Sequence, residues 1–478
     1  MTSARFVALP ARHDTANLIL LTSVFAVTFV VLYGFTSSVS ALIPWRISVA
    51  LPLDEQLPFW PATAAIYLTI TPMLLLAPFV LRDLASLLPL FLALMLETSI
   101  GALCFMLLPI DPPAITCCEG ALTQMLFDTA DTLNLERNDL PSLHVAFVVT
   151  AALAFAPRAG GFGRFTLLVW ASCVAASTVL TRQHRLLDVV AGVLLAFVCW
   201  GYCRARARRP EVLAAFNVEL LCMRNFARFV RRHRRYLLPV VAVLGTSALH
   251  WRRHRLTRTG FAFLQSLDDL LDGDRPSDIE PLEIADESIG SFQSGDFGQH
   301  DLARLGAAFR AELLARGDLQ SLAVAIGLMR SMRRDRERVL SRELLPAPAL
   351  IELHRATFRG SLDLLLLAAD SPLRAADVPD LVDAFGWCST VRDLDEDLEH
   401  GLVNIPREVV EQAITIVPAA PLAALTETRA VQEWSERERQ RALTLLDAAD
   451  ARLNELHDRR GAMLLRMFAR SIRRYTRT

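Results

Sequence analysis

The chain has 478 residues, of which 53% are apolar and 21% charged, and its formal net charge is −1. That length allows two or more domains, the apolar share exceeds that of ordinary soluble proteins, and near-neutrality carries no electrostatic signature of nucleic-acid binding. The eight cysteines lie mostly within apolar runs, and the adjacent Cys117 and Cys118 are sterically poor partners, so neither a disulfide nor a zinc framework is expected.

In chain order, apolar runs occupy 17–34, 62–81, 84–108, 143–157, 164–181 and 187–203. Several approach the roughly 20 residues that cross a bilayer core, which predicts six membrane helices. No small-residue cleavage site follows the first run, so it is read as retained rather than as a signal peptide. Alternate connections carry Arg5 and Arg12, then Arg82, then Arg158 and Arg164, then Arg204, Arg206, Arg208 and Arg209. Arginine enrichment of cytoplasmic loops places these segments, and everything after the sixth run, inside an inner (plasma) membrane.

After Cys203 the composition turns basic, which divides the chain into a membrane domain at 1–203, a basic juxtamembrane linker at 204–260 and a second domain at 261–478. Tyr236 through Trp251 reads as an amphipathic anchor on anionic headgroups or a short seventh membrane segment, the anchor being favoured. From Phe261 onward apolar residues recur at helical spacing, with a loop expected from Gly290 to Gly298. The expected fold class is all-α throughout.

Within the membrane domain, His144 opens one helix in Pro141-Ser142-Leu143-His144 and His184 precedes another in Arg182-Gln183-His184-Arg185-Leu186-Leu187-Asp188. Both fall on the same membrane face in the predicted topology. Asp188 is one turn beyond His184, within reach of its imidazole. A lone histidine at a membrane helix end is usually structural, but two histidines, a carboxylate and Arg182 converging on one face favour catalysis. These elements resemble the phosphatidic acid phosphatase type 2 superfamily, particularly its branch related to inositol phosphorylceramide synthases, as does the small-residue pair Ala191-Gly192. The resemblance implies that His184 attacks phosphorus to give a phosphohistidine, Asp188 holds the imidazole, and His144 protonates the leaving oxygen. Arg182 would offer charge to the phosphate oxygens. The superfamily's Lys-x6-Arg-Pro element is missing, with Asp111-Pro112-Pro113 near its place, and Thr178 stands where an arginine is expected. No cofactor is expected for this domain.

In the second domain, Asp268, Asp269 and Asp272 follow an apolar helical run, and Asp393 and Asp397 repeat the i, i+4 spacing far downstream. Two such clusters facing each other would repel without cations, and hard oxygen ligands suit Mg²⁺. Gln265 to Asp272 and Ser389 to Asp397, followed by Gly401 and Pro406, resemble the two Asp-rich motifs of the squalene and phytoene synthase family. Met329 to Asp335 and His354 to Gly360 carry weaker likeness. Ser389, Leu402 and Asn404 depart from that pattern, standing where Asn, Arg and Tyr are usual. The resemblance implies an isoprenoid-synthase-type helical domain in which Mg²⁺ held by Asp268, Asp269, Asp272, Asp393 and Asp397 clamps an allylic diphosphate. Arg275, Arg392 and the group Arg330, Arg333 and Arg334 are expected phosphate partners, although an exposed basic face explains the last group equally well.

Together these readings imply a six-helix phosphatase-type bundle followed by an all-α synthase-type domain, acting on prenyl diphosphates and lipid phosphates among membrane lipids. One alternative is a lipid phosphatase or headgroup phosphotransferase with a separate second activity. Another is a second domain that binds prenyl diphosphate without catalysis. Chain length, product and oligomeric state are not legible in the residues.

Overall fold

The structure, a computed structural model, describes residues 6–111, 120–133, 139–232, 250–316, 319–416 and 422–475, with the single positions 234 and 245. Arg5, Pro112, Pro113, Cys117, Cys118 and nearly all of the predicted anchor (236–244 and 246–249) lie outside the described residues, as does the Ser389 side chain. Among the described residues no strand forms beyond an isolated bridge between Ile47 and Ile110. The chain packs as two compact units, Met1–Phe216 and Asn217–Thr478.

In the first unit, α1 (Arg12–Ala41) is followed by three short helices, α2 (Ala64–Tyr67), α3 (Ile70–Leu75) and α4 (Ala77–Leu81). Then come α5 (Leu84–Leu107), α6 (Ala121–Leu133), α7 (Leu143–Phe155), α8 (Gly161–Leu180) and α9 (Leu186–Ala207). Helix α5 is the hub, packing on α1, α7 and α9. Outward positions such as Val27, Val30 and Val31 on α1, Phe162, Phe165 and Leu168 on α8, and Leu194 and Val198 on α9 are exposed. Such broad apolar faces suit lipid rather than water.

Among the described residues, four helices are long and apolar enough to span a membrane: Asp14–Ala41, Leu84–Leu107, Gly161–Leu180 and Leu186–Ala207. The other two runs expected to span form shorter apolar helices, Pro61–Leu75 and Leu143–Arg158. The run at 62–81 is broken because Pro72 and Pro78 cannot donate to the carbonyls of Leu68 and Leu74, which divides it into single turns. The run at 143–157 gives an α-helix of only 13 residues, capped by Ser142 and ended at Pro157.

The second unit begins within α10 (Pro210–Arg232) and continues through α11 (Arg255–Leu271), α12 (Pro281–Ser294), α13 (Asp301–Ala315), α14 (Leu319–Ser341) and α15 (Ala347–Ala368). It closes with α16 (Pro379–Arg392), α17 (Leu394–Glu399), α18 (Arg407–Ile416), α19 (Arg429–Glu455) and α20 (Arg459–Tyr475). One apolar core gathers Phe226, Phe263, Phe292 and Phe309 from α10 to α13. A second joins Leu366, Leu381, Leu446 and Leu465 from α15, α16, α19 and α20. The loop expected at Gly290–Gly298 starts only after Ser294. Ile284, Ala285, Ser288, Ile289 and Phe292 form a continuous buried stripe that carries α12 through Gly290.

Candidate active sites

The first site is assembled where α7 and α9 begin. Ser142 caps α7, its hydroxyl accepting from the Val145 N–H at 3.4 Å, and this places His144 in the first turn. The backbone N–H of Ser142 donates to the Asp188 carbonyl at 3.1 Å, tying the two helix starts together. Gly192 is what permits the approach, because a Cβ there would lie 2.5 Å from the Ser142 carbonyl oxygen. On the opposite side, Leu143 packs so closely on Gly101 of α5 that a Cβ there would stand 2.8 Å from it.

The two histidine rings face each other with centroids 6.0 Å apart. His184 and Asp188 are almost wholly buried, at 2% and 1% exposure. Asp188 Oδ2 accepts from the Arg185 backbone N–H at 2.8 Å and stands 3.9 Å from His184 Nδ1, an ion-pair separation rather than a hydrogen bond. Neither ring nitrogen of His184 has a hydrogen bond of normal geometry, although the Asp139 backbone lies beside the ring. The imidazole is thus held by packing, with Nε2 turned from its carboxylate.

Tyr67 completes the site. Its buried hydroxyl stands 2.8 Å from Nε2 and 3.0 Å from Nδ1 of His144, with the rings 4.4 Å apart. Nothing in the sequence singles out this tyrosine, 77 residues from its partner. Asp54 was equally hidden: its Oδ1 accepts from the Leu186 N–H at 3.0 Å and caps α9 from a distant loop. Arg182 adopts a left-handed backbone, φ 54°, and its guanidinium sits 5.7 Å from the Phe59 ring centre. The charge of Arg185 acts on both Asp139 and Asp188, and its buried Nη1 has no hydrogen-bond partner.

The second site is a cavity of about 690 Å³ lined by Asp268, Asp272, Asp335, Asp393 and Asp397, with Phe261, Met332, Phe358, Leu362, Leu365 and Phe385 on its apolar walls. The two predicted aspartate clusters therefore share one chamber. Asp269 is the exception. It lines an adjoining pocket of about 320 Å³ with Arg228, Arg232, Asp274 and Arg275, and it accepts from Gln265 Nε2 at 3.0 Å. One residue's rotation along α11 separates it from Asp268.

Arg392 lines the main cavity but is committed to Asp393 through a two-pronged ion pair, one prong at 2.7 Å. Of the remaining expected phosphate partners, Arg330 is exposed, Arg333 pairs with Asp286, and Arg334 pairs with Glu337 and Glu343. That group is a solvated basic face, and none of its members lines the cavity.

Beneath the carboxylates lies a polar network absent from the sequence reading. Arg338, 1% exposed, donates through Nη1 to Asp335 at 2.9 Å and to Asn404 Oδ1 at 3.0 Å, and through Nη2 to the Val403 carbonyl at 2.7 Å. Asn404 Nδ2 in turn donates to Asp397 Oδ2 at 2.9 Å. Asn404 is thus a bridge in its own right, whatever residue it replaces.

Burial and mutual repulsion strain the ionised form of these acids. Burial first, then the charges of Asp272 and Asp269, holds Asp268 well above the usual carboxylate range. Burial and then Asp274 push Asp272 to about 6. Burial pushes Asp397 to about 7 against the opposing hydrogen bond from Asn404, while Asp393 adds to the rise. Burial, followed by the Arg338 charge, lowers His354 to about 4. Among the described residues no three His, Cys, Asp or Glu side chains converge on one point as a finished metal centre. The donor set nevertheless fits a hard cation, since Mg²⁺ commonly takes one or two carboxylates and fills its shell with water and phosphate.

Comparison with known proteins bears on the first site alone. No curated protein and no solved structure matches the chain. The family model of the PAP2 superfamily matches residues 86–209, a span that includes His144, His184, Asp188 and Gly192 but neither Asp54 nor Tyr67. The first unit thus carries a PAP2 superfamily domain, a domain of phosphatase type, at residues 86–209.

Proposed function

We propose that the first unit hydrolyses a lipid phosphate or diphosphate through a phosphohistidine. The observation that carries this reading is the pair of half-buried His144 and buried His184, 6.0 Å apart, with Asp188 behind the second ring. His184 Nε2 attacks phosphorus as the P–O bond to the leaving group breaks, and His144 donates its proton to the departing oxygen. Water then attacks phosphorus, His144 takes the water's proton, and the N–P bond breaks to free His184. Asp188 stabilises the charged imidazole, Tyr67 fixes the His144 ring, and Arg185 offers charge to the phosphoryl oxygens.

The second unit, in the same proposal, ionises an allylic prenyl diphosphate for coupling or cyclisation. Support comes from a shared chamber lined both by five carboxylates and by aromatic and aliphatic side chains. Bound Mg²⁺ would neutralise the leaving diphosphate. Asp268, Asp272, Asp393 and Asp397 would hold it, Asn404 and Arg338 set the carboxylate geometry, and the apolar walls exclude water from a carbocation. Asp269, Arg275, Arg228 and Arg232 would meet the phosphate end from the adjoining pocket. The arginine distribution supports a cytoplasmic location for this unit at the plasma membrane. A second unit that binds prenyl diphosphate without converting it is the competing reading, favoured by the departures at Ser389 and Leu402.

The decisive experiment supplies membranes containing the full chain with farnesyl or geranylgeranyl diphosphate and Mg²⁺. Hydrocarbon and alcohol products are separated for wild type, His184→Ala and Asp268→Ala. Phosphate release lost only in the histidine variant, and hydrocarbon lost only in the aspartate variant, is the expected pattern. Unchanged products in both variants would remove both assignments, and absence of hydrocarbon from wild type would leave the binding reading in its place.

A further inference from the structure

The last helix has a chemistry that neither site uses. From Arg459 to Thr478 the chain holds seven arginines and no acidic residue. Ala462, Leu465, Ala469 and Ile472 are buried as α20 packs on α16 and α19. Arg466 is spent on the Leu453 carbonyl at 2.9 Å, and Arg473 on Asp447 and Asp450 at 2.9 and 2.7 Å. These contacts account for one side of the helix.

The other side is different. At about 100° per residue, Arg459, Arg470, Met463, Arg474, Met467 and Arg460 follow one another around a single outward arc. Met463 and Met467 are 61% and 58% exposed. Among the described residues, Arg459, Arg470 and Arg474 are exposed and have no acidic partner, while Arg460 lies near Asp458. Two unbranched apolar side chains are therefore set between cations on a rigid, already folded face about 25 Å long.

We propose that this face docks on a bilayer surface rich in anionic lipid. Anionic headgroups would satisfy the arginines while the thioether chains of Met463 and Met467 enter the acyl boundary beneath them. The methionines argue against nucleic acid, because the arc offers phosphate-binding charge but no aromatic ring for stacking a base. Since the inner face already folds the helix, docking requires no disorder-to-order step.

Methionine oxidation tests this directly. The full chain is placed in nanodiscs of phosphatidylcholine alone or with phosphatidylglycerol, exposed briefly to hydrogen peroxide, and mapped by mass spectrometry for sulfoxide. Buried Met329, 0% exposed, reports that the fold is intact. Oxidation at Met463 and Met467 should slow about fivefold or more in the anionic discs, with recovery at high salt. The triple variant Arg459→Gln, Arg470→Gln and Arg474→Gln should abolish that difference while Met329 stays protected. Equal oxidation in both lipids would overturn the proposal. So would protection in lipid-free detergent that grows with protein concentration, which would assign the face to a second copy of the chain. Should Met329 become reactive in the triple variant, each single Arg→Gln variant is measured, and lipid-dependent protection unchanged in all three also overturns it.

Discussion

The two sites place polar groups in opposite settings. The histidine site is held by packing: two helix starts share a backbone hydrogen bond, a glycine lets them touch, and the His184 ring has almost no access to water. The aspartate site is a wide chamber whose acids repel one another and are steadied from behind by Arg338 and Asn404. Preorganisation in the first comes from van der Waals contact, whereas in the second it depends on charge that a bound cation would complete. Substitutions should therefore act through shape in one unit and through electrostatics in the other.

The largest expected effect is at His184. His184→Ala should reduce phosphate release by roughly 10⁴-fold or more, as expected for loss of a covalent nucleophile, while diphosphate ionisation is preserved. A phosphate-release assay on reconstituted protein gives the answer, and wild-type rates would end the phosphohistidine scheme.

Next come Asp268 and Asp269, neighbours that face different spaces. Asp268→Ala should lower prenyl diphosphate turnover by about 10²-fold or more, with a markedly smaller loss for Asp269→Ala. Equal losses would mean that the two pockets act as one.

Gly192→Ala sharpens the packing half of the comparison. The added methyl group must displace the Ser142 carbonyl, with an expected cost of about 1–3 kcal/mol in stability and a loss of phosphatase activity larger than that of any surface substitution. Thermal unfolding and single-turnover rates would be read together, and a neutral outcome would show that the helix starts are less tightly joined than their spacing implies.

Asn404→Leu addresses the electrostatic half. Removing the bridge to Asp397 should weaken Mg²⁺ binding by about 10-fold, measured by calorimetry on the full chain, with little effect on phosphate release.

The smallest effect concerns pH without cations. Asp272 and Asp397 hold their protons more tightly in the folded unit, to about 6 and about 7, than an unfolded chain would. Their stabilising contribution is therefore complete below the ordinary carboxylate range and is lost as pH rises through 6 to 7. The melting temperature of the second unit in chelator should fall between pH 5 and pH 8, and Mg²⁺ should restore it at pH 8. A rise over the same interval would contradict the burial of these acids.

Residues close in sequence were the most legible. His184 and Asp188 announce their contact because helical geometry places i and i+4 together, and Ser142 announces the start of α7 as a capping residue. Apolar spacing likewise reveals an all-helical chain. It does not reveal the breaks in the run at 62–81, because hydropathy counts side chains while Pro72 and Pro78 act on the backbone. Tyr67 and Asp54 were illegible for want of any local pattern, since their roles exist only after distant segments meet. The surroundings of Arg182 and Arg185 were not legible either: Arg182 has a left-handed backbone and lies over the Phe59 ring, while the Arg185 charge acts on Asp188. Asn404 read as a lost tyrosine until its hydrogen bonds to Arg338 and Asp397 gave it a task.

The contact of Gly192 with Ser142 also has an engineering consequence. It works as a fixed gauge between His184 and His144, so a redesign that seeks to widen or narrow the site gains nothing by moving α7 against α9. The adjustable wall is the segment holding Asp54 and Phe59, which meets the site from outside the matched family region. Libraries confined to that segment should retune selectivity while leaving the spacing of His144 and His184 at its original setting.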